Sequence, residues 1–289
     1  LSGANTYTGA TTINAGTLAL GGAAPSGSAG TLGNTTSAVL LGDTTGSADA
    51  ALVVNGAYTV GRDITVQTGS SGTATLGGSN TSGTSTFSGG VTMNKALTVT
   101  AASGGTSLMS GVLNDGGGSF ALTKAGAGTV KLSGTNTYDG GTTIGAGTLQ
   151  ITADASLGNV PGATSAANIT LSGGTLEADA TGVALAANRG VTLTANGTLS
   201  ATTGNDMTVA GVVTGGFNLA KAGAGTVTLS GANTYTGATT INAGTLKAGA
   251  TNVLPAAAVT VSAGATLDLN GNDDTIGSLT LESGTSTGS

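Results

Sequence analysis

Residues 1–18 read LSGANTYTGATTINAGTL, and residues 229–246 read the same eighteen letters. Residues 132–149 carry LSGTNTYDGGTTIGAGTL, which departs at four positions. The second and third copies follow a shared lead-in, KAGAGTVK at 124–131 and KAGAGTVT at 221–228. A fixed phrase returning at long intervals is the signature of stacked repeats rather than of a globular fold. A catalytic site needs residues that occur once, whereas this chain puts its emphasis on what recurs.

The phrase alternates aliphatic and small polar residues, and so does the rest of the chain. Val130-Lys131-Leu132, Ile169-Thr170-Leu171, Val191-Thr192-Leu193, Val227-Thr228-Leu229, Val259-Thr260-Val261 and Leu267-Asp268-Leu269 each flank one polar residue with aliphatics. Period-two alternation sends the aliphatics into one core and Thr, Lys or Asp to solvent. SGG, NG, GAG and SAG separate these runs, and Gly or Asn accepts the positive φ of a sharp turn. Helix is nearly absent, because Gly interrupts most windows and costs about 1 kcal/mol relative to Ala. The Ala-rich stretch Val183 to Asn188 is too short to form one alone.

Read as a coil, the third copy places Val227 and Leu229 on a first strand, then turns at SGAN. Thr239 to Asn242 forms a second strand with Ile241 inward, and Leu246 opens a third. Three short strands in ~20–25 residues predict an all-β fold, a right-handed, three-sided parallel β-helix of roughly a dozen coils. At ~4.8 Å per coil the rod would be some 60 Å long. The phrases at 1–18, 124–149 and 221–246 bound modules at 19–123, 150–220 and 247–289. These modules correspond internally: Arg62-Asp63-Ile64-Thr65-Val66 resembles Arg189-Gly190-Val191-Thr192-Leu193. A single continuous β-helix over 1–289 is therefore expected, cut within the stack at both ends.

Composition narrows the function. Of 289 residues 54 are Gly, charged residues make up 7%, and the net charge is −6. The absence of a basic patch argues against nucleic acid and anionic membrane surfaces. No apolar run approaches the ~18–20 residues of a membrane-spanning helix. The chain has no Cys and no His, which excludes disulfides, thiolate or imidazole metal sites, and Ser-His-Asp or Cys-His catalysis within this chain.

The run KAGAGTVTLSGANTYTGATTINAGTL at 221–246 resembles the passenger-associated transport repeat of bacterial autotransporters, the type V secretion proteins. LPAAAVTVSAGATLDLNGNDDTIGSLTL at 254–281 is similar to segments common in such passengers. The resemblance implies a secreted β-helix on the surface of a Gram-negative cell, with a role in adhesion, aggregation, biofilm or fibre formation. Some members of that family are proteases or lipases and carry a separate catalytic domain or motif; no GxSxG or serine-protease signature appears here, so no catalysis is expected.

The repeat positions are Leu1, Tyr7, Ile13 and Leu18; Leu132, Tyr138, Ile144 and Leu149; and Leu229, Tyr235, Ile241 and Leu246. The tyrosines could form a row of ligand-contacting rings; the simpler reading is that each covers a coil corner with its hydroxyl wet. Asn5, Asn136 and Asn233 either build side-chain amide ladders or take αL at a corner. Asp268, Asp273 and Asp274, with Asn270 and Asn272, offer oxygen ligands for Ca²⁺ without matching a known calcium loop, so a solvated loop is the plainer reading. Lys124 and Lys221 are expected to solvate or blunt the edge before the GAG turn. Outward Thr, as in Thr98-Val-Thr100 or Thr226-Val-Thr228, would make a binding ladder only if in register on successive coils. The expected function is an extracellular structural or adhesive rod that needs no cofactor and does no enzymatic work. Its partners would be other copies of itself, a host or neighbouring-cell surface, or glycans. The alternative is a polysaccharide-acting or carbohydrate-binding β-helix.

Overall fold

A computed structural model describes residues 1–283 and 285–287. Among them there is no α-helix, and every pairing between named strands is parallel. The chain divides into two compact units, residues 1–142 with 155–159, and residues 143–154 with 160–289. Each unit is a stacked β-solenoid, and the turns number about eleven in all.

A turn of the first unit shows the plan. Val39–Leu41, Ala50–Val54 and Thr59–Val60 run along three successive sides, and Ile64–Val66 then returns to pair with Val39–Leu41. Register is kept through the stack: Leu18, Leu52, Leu76 and Val99 lie over one another on the second side. Alternation does what the sequence predicts, since Ala50–Val54 and Leu97–Ala101 bury every other residue. Each buried aliphatic contributes some 1.5–3 kcal/mol, and a parallel stack adds a fixed ladder of backbone hydrogen bonds.

The second unit repeats the plan. Ser165–Leu171, Thr175–Ala178 and Val183–Leu185 make one turn, and Arg189–Leu193, Gly197–Ala201 and Asp206–Val209 the next. One column of its interior runs Leu149, Leu176, Leu199, Lys221, Ile241, Val261. The outward neighbour in each strand forms a second column, Thr148, Thr175, Thr198, Ala220, Thr240, Thr260, Thr280.

The third copy of the phrase is laid out differently from its expected coil. Thr226–Leu229 and Thr245–Ala248 pair in register, Thr226 with Thr245 and Leu229 with Ala248. They are the same side of successive turns, not two sides of one. SGANTYTG is therefore more than a corner: residues 230–237 carry the chain along a whole side without forming a strand.

Candidate functional site

The strandless side is held by two side chains that replace a strand. In the first unit, Asn136 Oδ1 accepts from Leu113 N at 2.9 Å, while its Nδ2 donates to Ser156 O at 2.6 Å. In the second unit, Asn233 Oδ1 accepts from Val213 N at 2.7 Å and Nδ2 donates to Val253 O at 2.7 Å. A primary amide has the donor and acceptor of a peptide group, so each Asn joins the turn before it to the turn after it where a backbone rung is missing. Positive φ plays no part, because none of the phrase asparagines adopts it. The side chains bond across turns as the ladder reading expected, but to backbone groups and not to other asparagines, and the αL reading falls. The phrase also ends a sheet: Leu113–Asn114 and Val213–Gly215 are the last strands of theirs.

Beside each ladder amide lies a tyrosine. Tyr138 and Tyr235 are fully buried, and their hydroxyls pair with Thr142 Oγ1 at 2.8 Å and Thr239 Oγ1 at 2.7 Å. The hydroxyl that was expected to stay wet is instead satisfied internally by the Thr four residues on. Burial pushes the Tyr235 phenol up to about 12, with the Thr239 hydrogen bond opposing and the Asp274 carboxylate adding. Rings so placed cannot form a row of ligand contacts.

The turn after the phrase closes over the ring, and its sequence signal escaped the reading above. Thr31-Leu32-Gly33-Asn34 and Ser156-Leu157-Gly158-Asn159 are the same tetrapeptide in kind. Gly33 and Gly158 have φ of 71° and 77°, and a Cβ at either would strike the carbonyl oxygen and ring of Tyr7 or Tyr138. Asn34 N and Asn159 N each donate to the tyrosine carbonyl at 3.0 Å. Gly is required at both positions by its conformation and by space.

The lead-in overturns another expectation. Lys124 and Lys221 are buried, and each occupies an aliphatic column, above Val99 and between Leu199 and Ile241 respectively. The ammonium of Lys124 donates to Ala125 O at 2.9 Å and Gly126 O at 2.8 Å. Lys221 Nζ does the same with Ala222 O and Gly223 O, and reaches Ala243 O at 2.8 Å. Gly126 and Gly223, with φ near 73° and 72°, make the turns whose carbonyls receive it. The stem substitutes for a leucine while the head ties the GAG turn together. Burial lowers both ammonium groups to about 8. Alternation alone gives the inward position, since Lys221 lies two residues from Leu219; charge suggested the opposite.

Two arginines are buried as well. Arg189 Nε meets Asp154 Oδ1 at 2.7 Å and its Nη1 donates to Asn168 Oδ1 at 2.8 Å. Arg62 Nη1 donates to Leu32 O at 2.8 Å and Nη2 to Ser37 O, and burial lowers its pKa. Asp115 belongs to the same class of interior anchor. Burial alone would raise its carboxyl, but N–H groups of Asp139, Phe120 and Gly117 hold it below the ordinary value.

The remaining repeat positions divide. Ile13, Leu132, Ile144, Leu149, Leu229, Ile241 and Leu246 are core. Leu18 is half-buried, and Leu1 is 53% exposed. Asp268 and Asp274 are put to separate uses, Asp268 Oδ1 accepting from Asn270 N and Asp274 Oδ1 from Leu254 N, while Asp273 is exposed. Among the described residues no three His, Cys, Asp or Glu side chains converge as a metal would require.

The phrase that ends the sheets of this solenoid matches a known family model. The passenger-associated-transport-repeat model fits residues 1–20, 122–151 and 219–248, which takes in the lysine, the ladder amide and the tyrosine of the later two copies. The chain thus carries three segments that match the repeat of autotransporter passengers. A curated relative, the adhesin BmaC autotransporter of Brucella suis biovar 1 (strain 1330), is 38% identical over 128 residues. That match covers 44% of this chain and 4% of the relative, so the chain spans a small fraction of that protein's length. No solved structure matches.

Proposed function

We propose that this segment is an adhesive stem: it holds a cell to another surface through its outward columns and turns nothing over. One observation carries the reading. The charged groups Lys124, Lys221, Arg62, Arg189 and Asp115 are spent inside on backbone and side-chain partners, while an outward column of the second unit is threonine at six of seven positions. Repeated weak contacts on such a column reach useful strength by multivalency. The naming of the relative as an adhesin supports the same role. Its partners are then a host or neighbouring-cell surface, glycans, or further copies of the chain. Beads coated with the protein are expected to adhere to cultured cells, or to one another, well above albumin-coated beads. Equal adherence would sink the adhesive role, and release of reducing ends from a polysaccharide panel would sink the non-catalytic one.

A further inference from the structure

The outward threonine column of the second unit has one gap. Thr148, Thr175, Thr198, Thr240, Thr260 and Thr280 are interrupted by Ala220. A notch of about 250 Å³ lies at this gap between Thr198 and Thr240, rimmed by Asn196, Asn218 and Asn242. That volume lies just below the roughly 300 Å³ at which sites for drug-sized ligands begin, and suits one sugar ring.

The rim is prearranged for hydrogen bonding. Asn196 Oδ1 accepts from Asn218 N at 3.1 Å, and Asn218 Oδ1 accepts from Ala238 N at 2.9 Å. Both carboxamides are thereby fixed through their oxygens. Their Nδ2 groups have no protein partner among the described residues, and both side chains are exposed. The hydroxyls of Thr198 and Thr240 add groups that both donate and accept. No charged side chain lines the notch. Phe217, 44% exposed, precedes Asn218 and offers an apolar surface close by in the chain. Fixed donors, adaptable hydroxyls and no charge are the complement of a neutral polyol.

We propose that the Ala220 notch binds a single neutral sugar residue of a glycan, the contact through which the adhesive reading, on which this rests, would act. The ring sits over Ala220, between Thr198 and Thr240, where a threonine side chain would obstruct it. Ala220→Thr completes the column with a residue that suits an outward strand position, so it places a hydroxyl and a methyl on the floor of the notch without disturbing the core. Thr240→Val keeps shape and removes one hydroxyl.

The test is titration of the whole 289-residue chain with methyl glycosides of glucose, galactose, mannose and N-acetylglucosamine, read by amide chemical shifts. At least one glycoside should move the signals of Asn196, Asn218 and Ala220. Ala220→Thr should weaken that binding about tenfold or more, the effect of one or two lost hydrogen bonds, and Thr240→Val several-fold. Thr260→Ala, on the same column away from the notch, should change nothing. No shift with any of the four, or undiminished binding by Ala220→Thr, overturns the notch even if coated beads adhere. Glycoside binding lost in Ala220→Thr while coated beads fail to adhere upholds the notch and removes the adhesive reading alone.

Discussion

Tyr7 and Tyr235 occupy the same place in identical eighteen-residue phrases, yet Tyr7 is 40% exposed and Tyr235 is fully buried. Their local structure agrees: each hydroxyl pairs with the Thr four residues on, Tyr7 with Thr11 at 2.8 Å and Tyr235 with Thr239 at 2.7 Å. What differs is the stack. Asn233 touches both Val213 in the turn before and Val253 in the turn after, whereas Asn5 donates to Thr31 O and pairs across to Gly30 in the turn after. The phrase sets its own side-chain geometry, and neighbouring turns supply the burial. Stability of a solenoid is of this kind, a local term plus interfaces on either side.

The largest effect that would separate the copies is removal of the rings. Tyr235→Ala and Tyr138→Ala each empty a fully buried aromatic site, for which about 3–5 kcal/mol is lost. Tyr7→Ala removes a ring already in contact with water and should cost about 1 kcal/mol or less. Urea unfolding of the three variants measures this. Equal losses would mean that the phrase is stabilised locally and the stack contributes little.

Next comes the lysine that precedes the two later copies. An ammonium lowered from 10.5 to about 8 in the folded chain is charged in both states below 8 and neutral in both above 10.5. Between those values the unfolded chain binds the extra proton, so stability rises with pH. A tenfold change in proton affinity is worth about 1.4 kcal/mol, so each lysine contributes an increase of up to about 3 kcal/mol. The interval to read is from pH 8 to 10, because above 10 Tyr235, held up to about 12, keeps a proton that the unfolded chain loses and reverses the slope. Lys124→Met and Lys221→Met should each flatten part of the rise, and the double variant most of it. A wild-type profile flat across that interval would place the ammonium groups in water.

The ladder amide is worth somewhat less. Asn233→Ala leaves Val213 N–H and Val253 C=O buried without partners, a loss of about 2–4 kcal/mol in all. Asn5→Ala removes one donor on a half-exposed side chain and should cost about 1 kcal/mol. Hydrogen exchange sharpens the comparison: the amide of Val213 should exchange much faster in Asn233→Ala, with amides of the first unit unchanged.

How far the sequence revealed this depends on the kind of signal. Strands declare themselves through alternation, because burying one face of a pleated chain requires it; Val130, Val191 and Val227 are placed by pattern alone. The lysines obey the same alternation, but their charge argued for solvent, and only the carbonyl-lined GAG turn makes an interior ammonium tolerable. Pairing of Thr226–Leu229 over Thr245–Ala248 was hidden because SGANTYTG carries turn residues yet crosses a full side. Gly33 and Gly158 were visible only as part of a tetrapeptide 26 and 20 residues after the tyrosine it covers, a separation that acquires meaning once turn length is known. The Ala220 notch was beyond reach, since a gap in a column exists only after the columns are in register.

Asp274 carries the comparison to its smallest term. Its Oδ1 accepts from Leu254 N at 2.7 Å, twenty residues earlier, as Asn233 Oδ1 accepts from Val213 N. It is the ladder position again, with a carboxylate in place of an amide. Where Asn233 has Nδ2 and a carbonyl to donate to, Asp274 has Oδ2, buried with no partner among the described residues. Burial raises its carboxyl above 3.8 and Asp273 adds to that, while the N–H groups of Leu254 and Val253 oppose. A carboxyl raised in the folded state holds its proton longer than the unfolded chain does, so its contribution is greatest at low pH and is lost as pH climbs through the folded value. At neutral pH the charge is therefore a net cost. Asp274→Asn keeps the acceptor for Leu254 and removes the charge, and should stabilise the protein by about 0.5–1 kcal/mol at pH 7. The gain should shrink as the pH approaches the ordinary carboxyl value of 3.8, where the wild-type side chain is itself protonated. Destabilisation by Asp274→Asn at neutral pH would show that this turn uses the carboxylate for its charge, and that it is not a third ladder amide in acidic form.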